Sequence, residues 1–141
     1  MPDQEHGREI EDFFARRQII ISQKDTLHQQ SVRLFLQGLN EGRGFVVSSV
    51  VLLEVGNWLS PVPLRRLASG LMGRIYHSTR IEVVELTPEL YRKGWQLYRE
   101  RPDKHWGVID RISFTIMQER NIVDALTGDR HFPQAGFVVL L

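Results

Sequence analysis

The sequence predicts an α/β domain with a mostly parallel sheet, and three observations carry that prediction. Short runs rich in β-branched residues alternate with longer stretches of helical periodicity. The runs are apolar at consecutive positions, as strands covered on both faces are. The 141-residue chain contains no repeat, low-complexity tract or Pro/Gly/Ser-rich linker, which fits one domain with a single core.

Taken in order, the first dozen residues are polar and read as a loosely attached arm. Gln18-Ile19-Ile20-Ile21-Ser22 is a β-branched run that reads as a buried strand. Asp25 or Thr26 can cap a helix through Leu36, which Gly38, Gly42 and Gly44 terminate. Phe45 to Ser49 is a second strand. It leads into a helix over Val50 to Leu59, with Ser48 or Ser49 as the N-cap. Pro61 and Pro63 punctuate the chain before Leu64, Leu67, Leu71 and Ile75 mark an amphipathic helix. Ile81 to Leu86 is the next strand, and Thr87-Pro88-Glu89 combines cap, proline and carboxylate at a helix start. That helix is expected to carry Leu90, Leu97 and Tyr98 inward and to stop before Pro102. Val108 to Arg120 forms another, with Ile109, Ile112, Ile116 and Met117 as its stripe and Asn121 as its end. Ile122–Leu126 and Phe137–Leu141 are the closing strands.

Composition excludes several classes. Eighteen basic against 17 acidic residues leave a net charge of +1, far from a tail-driven nucleic-acid binder. The absence of cysteine removes disulfide scaffolds, thiolate metal sites and cysteine nucleophiles. No apolar run is long enough to span a membrane, and the N-terminus is too polar for a secretory signal. A cytoplasmic protein is expected.

In a parallel sheet the functional crevice lies outside the carboxyl ends of the strands. Three acids sit at such junctions: Glu54 one turn into its helix, Asp110 in the first turn of Val108–Arg120, and Asp129 after Ile122–Leu126. Converging carboxylates repel one another unless a cation joins them. Hard oxygen ligands suit Mg²⁺ or Mn²⁺, and a carboxylate-held cation suits phosphodiester hydrolysis. Each acid also has an ordinary reading, as helix-dipole partner, solvated side chain or turn residue. Residues 61–80 hold Arg65, Arg66, Arg74 and Arg80 and no acid, which suits either an RNA backbone or a solvated face. Trp58, Trp95 and Trp106 could stack bases, although core packing is the expected role for at least two, and His131 reads as structural.

From about Lys24 onward the chain resembles the PIN-domain ribonucleases, above all the toxins of VapBC-type toxin–antitoxin pairs. The residues responsible are Asp25-Thr26-Leu27-His28, Ser48 to Asn57, Pro102 to Phe114 and Leu126 to Phe137. The resemblance implies a three-layer α/β/α fold and a site in which acidic residues hold Mg²⁺ or Mn²⁺ to cleave single-stranded RNA. Glu54, Asp110 and Asp129 match three of the family's four acids, and Asn57 and Ser113 match polar positions that shape its pocket. The fourth acid follows the family's first strand. Counting back from Asp25 without gaps puts Phe13 there, with Asp12 one residue away as a candidate. Residues 1–23 therefore read as an atypical segment replacing or degrading the first strand, and residues 24–141 as the PIN-like domain. An RNA substrate, a small antitoxin and a homodimer are the partners the resemblance implies; the candidate RNA contacts Arg65, Arg66 and Arg74 come from the basic run itself, which a solvated face would explain equally.

The expected function is thus a metal-dependent endoribonuclease, the toxin of a type II pair. The alternative is an inactive PIN-like domain that binds RNA or an antitoxin without cleaving. A doubly wound nucleotide-binding protein is disfavoured, because no glycine-rich phosphate loop follows any strand.

Overall fold

A computed structural model of the chain describes residues 18–22 and 28–140. The elements run β1 (Ile19–Ile21), α1 (His28–Asn40), β2 (Phe45–Ser48), α2 (Ser49–Trp58), α3 (Val62–His77), β3 (Ile81–Val84), α4 (Pro88–Glu100), α5 (Val108–Arg120), β4 (Asp124–Leu126), α6 (His131–Gln134) and β5 (Val138–Val139). The five strands form one sheet in the order β3-β2-β1-β4-β5, and every pairing is parallel. The α/β prediction is borne out, with the sheet parallel throughout.

Alternation along the strands sorts the core into two faces. Ile20, Val46 and Ala125 point to the side where α4 and α5 pack, with Leu90, Ile112, Phe114, Ile116 and Met117. Ile19 and Phe45 point to the other, against Leu34, Phe35 and Leu39 of α1. Val47 joins Val51, Leu52, Met72 and Ile75 of α2 and α3 on that same side. The result is the three-layer α/β/α arrangement.

The run Gln18–Ser22 does form a strand. β1 pairs with β2 on one side and β4 on the other, so it is the central strand of the sheet. It lies within the 1–23 segment read as atypical. The residue that follows this strand is Ser22, whereas the ungapped count had pointed to Phe13. The reason is that the strand adjoins the Asp25 motif far more closely than that count assumed. Asp12, Phe13, Asp25 and Thr26 lie outside the described residues.

Other boundaries shift in ways local chemistry explains. The first helix runs on to Asn40. Gly38 sits inside it because a Cβ there would lie 2.7 Å from Phe45 Cζ. Ser48 caps α2 by accepting from the Val50 N–H at 3.2 Å, and Ser49 Oγ accepts from the Leu86 N–H at 2.9 Å. Both serines are therefore used, and β2 passes into α2 with no loop. Thr87 caps α4 as expected, accepting from the Leu90 N–H at 3.1 Å. Tyr98, expected inside, is 45% exposed. Asn121 ends α5 in the left-handed conformation, φ 55°.

Helices α4 and α5 approach closely at Gly94, where an added Cβ would meet Ile112 Cγ1 at 2.7 Å. Gly70 on α3 has open space around the same position. Replacing a helical glycine by alanine gains about 1 kcal/mol of propensity, whereas overpacking costs about 1–3 kcal/mol. Gly70→Ala should therefore raise the urea midpoint, while Gly94→Ala should lower it. Equal shifts for both would contradict this packing.

Candidate active site

The strand order reverses at the centre of the sheet. The chain moves from β1 outward to β2 and β3, then returns to place β4 on the other side of β1. A crevice opens at the carboxyl ends of strands at such a switch point. A pocket of about 390 Å³ lies there, lined by Ser22 after β1, Glu54 of α2, His105, Asp110 of α5, and Asp129 and His131 after β4.

Each carboxylate is positioned by its local backbone. Asp110 lies in the first turn of α5, and its Oδ2 accepts from the Gly107 N–H at 3.3 Å. This is half of a capping box, and the carboxylate also favours the positive end of the helix dipole. Asp129 is nearly buried in a tight turn. Its own N–H donates to Thr127 Oγ1 at 3.1 Å, and its Oδ1 accepts from the His131 N–H at 2.9 Å. The His131 ring then joins the two acids, with Nδ1 at 3.0 Å from Asp110 Oδ2 and 3.4 Å from Asp129 Oδ1. One ligand atom from each of Asp110, Asp129 and His131 falls within 4.8 Å of the others.

The structure therefore brings Asp110 and Asp129 together and puts Glu54 on the same pocket, at an exposed position of α2. It adds His131, read from the sequence as structural. The signal available was its spacing, two residues past a candidate ligand in a turn after a strand. It also adds Ser22, where an acid was sought. Asn57 is exposed and does not line the pocket, and neither do Arg65, Arg66 and Arg74, which are exposed on α3. Ser113 points into the core, fully buried, and its hydroxyl has no hydrogen-bond partner among the described residues. Of the three tryptophans only Trp106 is buried. Trp58 and Trp95 are exposed, contrary to the expectation that at least two would pack in the core.

The chain is an all-parallel three-layer α/β/α protein with an acidic pocket at its switch point. Similarity to known proteins is more particular. Over 61 residues the chain is 30% identical to the 23S rRNA-specific endonuclease VapC20 of Mycobacterium tuberculosis, in strains CDC 1551 / Oshkosh and ATCC 25618 / H37Rv. The match covers 43% of this chain and 47% of VapC20, so it spans about half the length of the curated relatives. The crystal structure of Mycobacterium tuberculosis VapC20, described as a sarcin-ricin loop cleaving toxin, matches with a TM-score of 0.70 at 24% identity. That match covers 85% of this chain and 96% of the other. No protein-family model matches the chain. The resemblance to VapC-type PIN-domain toxins is borne out by these likenesses.

The burial of Ser113 has a measurable consequence. A buried hydroxyl without a partner costs about 1–3 kcal/mol of desolvation. Ser113→Ala should leave stability unchanged or raise it by up to about 1 kcal/mol, read by urea unfolding. A marked loss of stability would mean that the hydroxyl is hydrogen-bonded.

Proposed function

We propose that the chain is a divalent-metal-dependent endoribonuclease that cleaves single-stranded RNA and acts in the cytoplasm as the toxin of a type II toxin–antitoxin pair. The observation that carries this reading is the convergence of Asp110, Asp129 and His131, with Glu54, in one pocket at the switch point. The likeness to VapC20, itself a 23S rRNA-specific endonuclease, supports the same reading.

The donor set suits a cation. Two carboxylates held this close repel each other, and a divalent ion relieves that repulsion. Carboxylate oxygens accept Mg²⁺ or Mn²⁺, and the imidazole nitrogen tips the set toward Mn²⁺. When bound, the cation would polarise the scissile phosphodiester and activate the attacking water. The protein's own part is positional. Asp110 and Asp129 hold the charge centre, fixed by the Gly107 and His131 N–H groups, and Glu54 closes the rim. Arg65, Arg66 and Arg74 lie outside the pocket, where they can meet an RNA backbone passing beyond it. Among the described residues no helix is long and apolar enough to cross a membrane. The exposed apolar residues Leu53, Trp58, Val62 and Leu67 of α2 and α3 offer a docking surface for an antitoxin or a second copy of the chain.

A second reading, a domain that binds without cleaving, is favoured by Ser22. With a hydroxyl at the end of the central strand, the pocket holds three carboxylates among the described residues where the family pattern has four, and losses around a metal cost about 10- to 100-fold in affinity.

Mn²⁺ titration by calorimetry and cleavage of labelled RNA decide between the two. The wild type should bind Mn²⁺ and cleave. Asp110→Asn should lower Mn²⁺ affinity by at least about 10-fold and abolish cleavage, and Ser22→Asp should tighten binding. A folded wild type that neither binds Mn²⁺ nor cleaves would support the non-cleaving reading.

A further inference from the structure

Next to the acidic pocket lies a second cavity, of about 490 Å³, of opposite character. It is formed by the end of α4, the connection to α5 and the first turn of α5, and Arg99, Arg101, Lys104 and Arg111 line it. Three of these cations converge on one indole. The guanidinium carbons of Arg101 and Arg111 lie 5.5 and 5.2 Å from the Trp106 ring centroid, and Lys104 Nζ lies 5.8 Å from it. Arg101 is paired with Asp103, at 3.0 and 3.1 Å. Lys104 makes no ion pair among the described residues, and Arg111 is bonded by backbone carbonyls. Burial lowers the Arg111 pKa, the nearby Tyr98 works against that shift, and the charge of Arg101 adds to it. Like charges gathered this way favour an anion, as converging carboxylates favour a cation.

Two further observations select the anion. His105 and Gly107 line both cavities, so a chain whose phosphodiester sits at the acids continues directly into the basic cavity. From that cavity an exposed aromatic stripe runs back along α4. Tyr98 and Trp95 meet edge to face with centroids 5.3 Å apart, and Trp95 and Tyr91 with centroids 6.3 Å apart. All three rings are exposed. A basic groove beside exposed aromatic rings is how proteins hold single strands, with cations on phosphates and rings under unpaired bases.

We propose that this cavity and the Tyr98–Trp95–Tyr91 stripe form a binding subsite for single-stranded RNA flanking the cleaved bond. Lys104 and Arg101 take backbone phosphates, and Trp95 and Tyr91 stack bases. Arg111 is a positioning residue that adds charge from beneath. The subsite rests on the nuclease reading for its polarity, since that reading makes the acidic pocket the point of cleavage. It also explains how a pocket that repels phosphate retains its substrate.

The test uses the 141-residue chain in EDTA, with a fluorescein-labelled single-stranded RNA oligonucleotide followed by anisotropy across a salt series. Arg111 bonds the carbonyls of Arg101 and Lys104, not their side chains, so Arg101→Gln/Lys104→Gln leaves that scaffold intact. The double variant should bind RNA at least about 10-fold more weakly, with a salt slope shallower by about 1.4. Trp95→Ala should lose about fivefold or more without changing the slope. Both variants should keep wild-type Mn²⁺ affinity. Unchanged RNA affinity and salt slope in the double variant would overturn the subsite even if the wild type cleaves RNA. So would a wild type that does not bind the RNA, or charge variants that lose binding to a polyglutamate peptide and not to RNA. RNA bound through this cavity without Mn²⁺-dependent cleavage would keep the subsite and overturn the nuclease reading.

Discussion

The guanidinium of Arg111 is buried to 1% exposure, yet it is held by backbone oxygen rather than by a carboxylate. Its nitrogens donate to the carbonyls of Trp106 at 3.2 Å, Leu97 at 2.8 Å, Arg101 at 3.1 Å and Lys104 at 3.4 Å. Tyr98 and Trp106 lie beside it, with ring centroids 5.3 and 5.2 Å away. These bonds tie the end of α4 to the start of α5. Each carbonyl left without its donor would carry a desolvation cost of about 1–3 kcal/mol, so the connection has little freedom to rearrange. Gly107, the N-cap of α5, and Asp110, in its first turn, are fixed by the same lock. Phe114 extends it inward, with edge-to-face contacts to Trp106 and Phe132 at 5.2 and 4.9 Å.

The lock matters because the two acids reach the pocket by different routes. Asp110 is carried by a helix whose start is set by Arg111. Asp129 is carried by the turn after β4, whose register against β1 is set by the Ile20–Ala125 and Ile21–Leu126 pairs. His131 spans the gap between them. Its backbone N–H holds Asp129, and its ring touches both carboxylates. The pocket is thus preorganised by backbone donors and one imidazole, with Ser22 contributing a hydroxyl at the sheet's central strand.

Charge is arranged in opposition across a short distance. The acidic pocket and the basic cavity share His105 and Gly107 as a common wall. A nearly neutral chain can therefore present an acidic pocket and a basic cavity side by side. The net charge of +1 conceals that separation, because it averages over faces that no ligand averages.

The fold class, the order of strands and helices, the caps at Ser48 and Thr87 and the two buried-face strands were legible in the sequence. They depend on local chemistry and on periods of two and 3.6 residues. Glu54, Asp110 and Asp129 could be picked out as acids near strand ends and helix starts, but that they line one pocket is a finding of the tertiary structure. What the sequence left open depends on contacts between residues distant along the chain. Nothing local says that Ser22 ends the central strand, that His131 bridges two acids, or that Ser113 faces the core. The outward placement of Trp95 and Tyr98 was equally hidden, since an aromatic at helical spacing fits a core or a surface stripe alike. Arg111 is the clearest case. In sequence it is one more arginine beside an aspartate, and only the tertiary structure, by wrapping residues 97–106 around it, turns its charge into the support of the site.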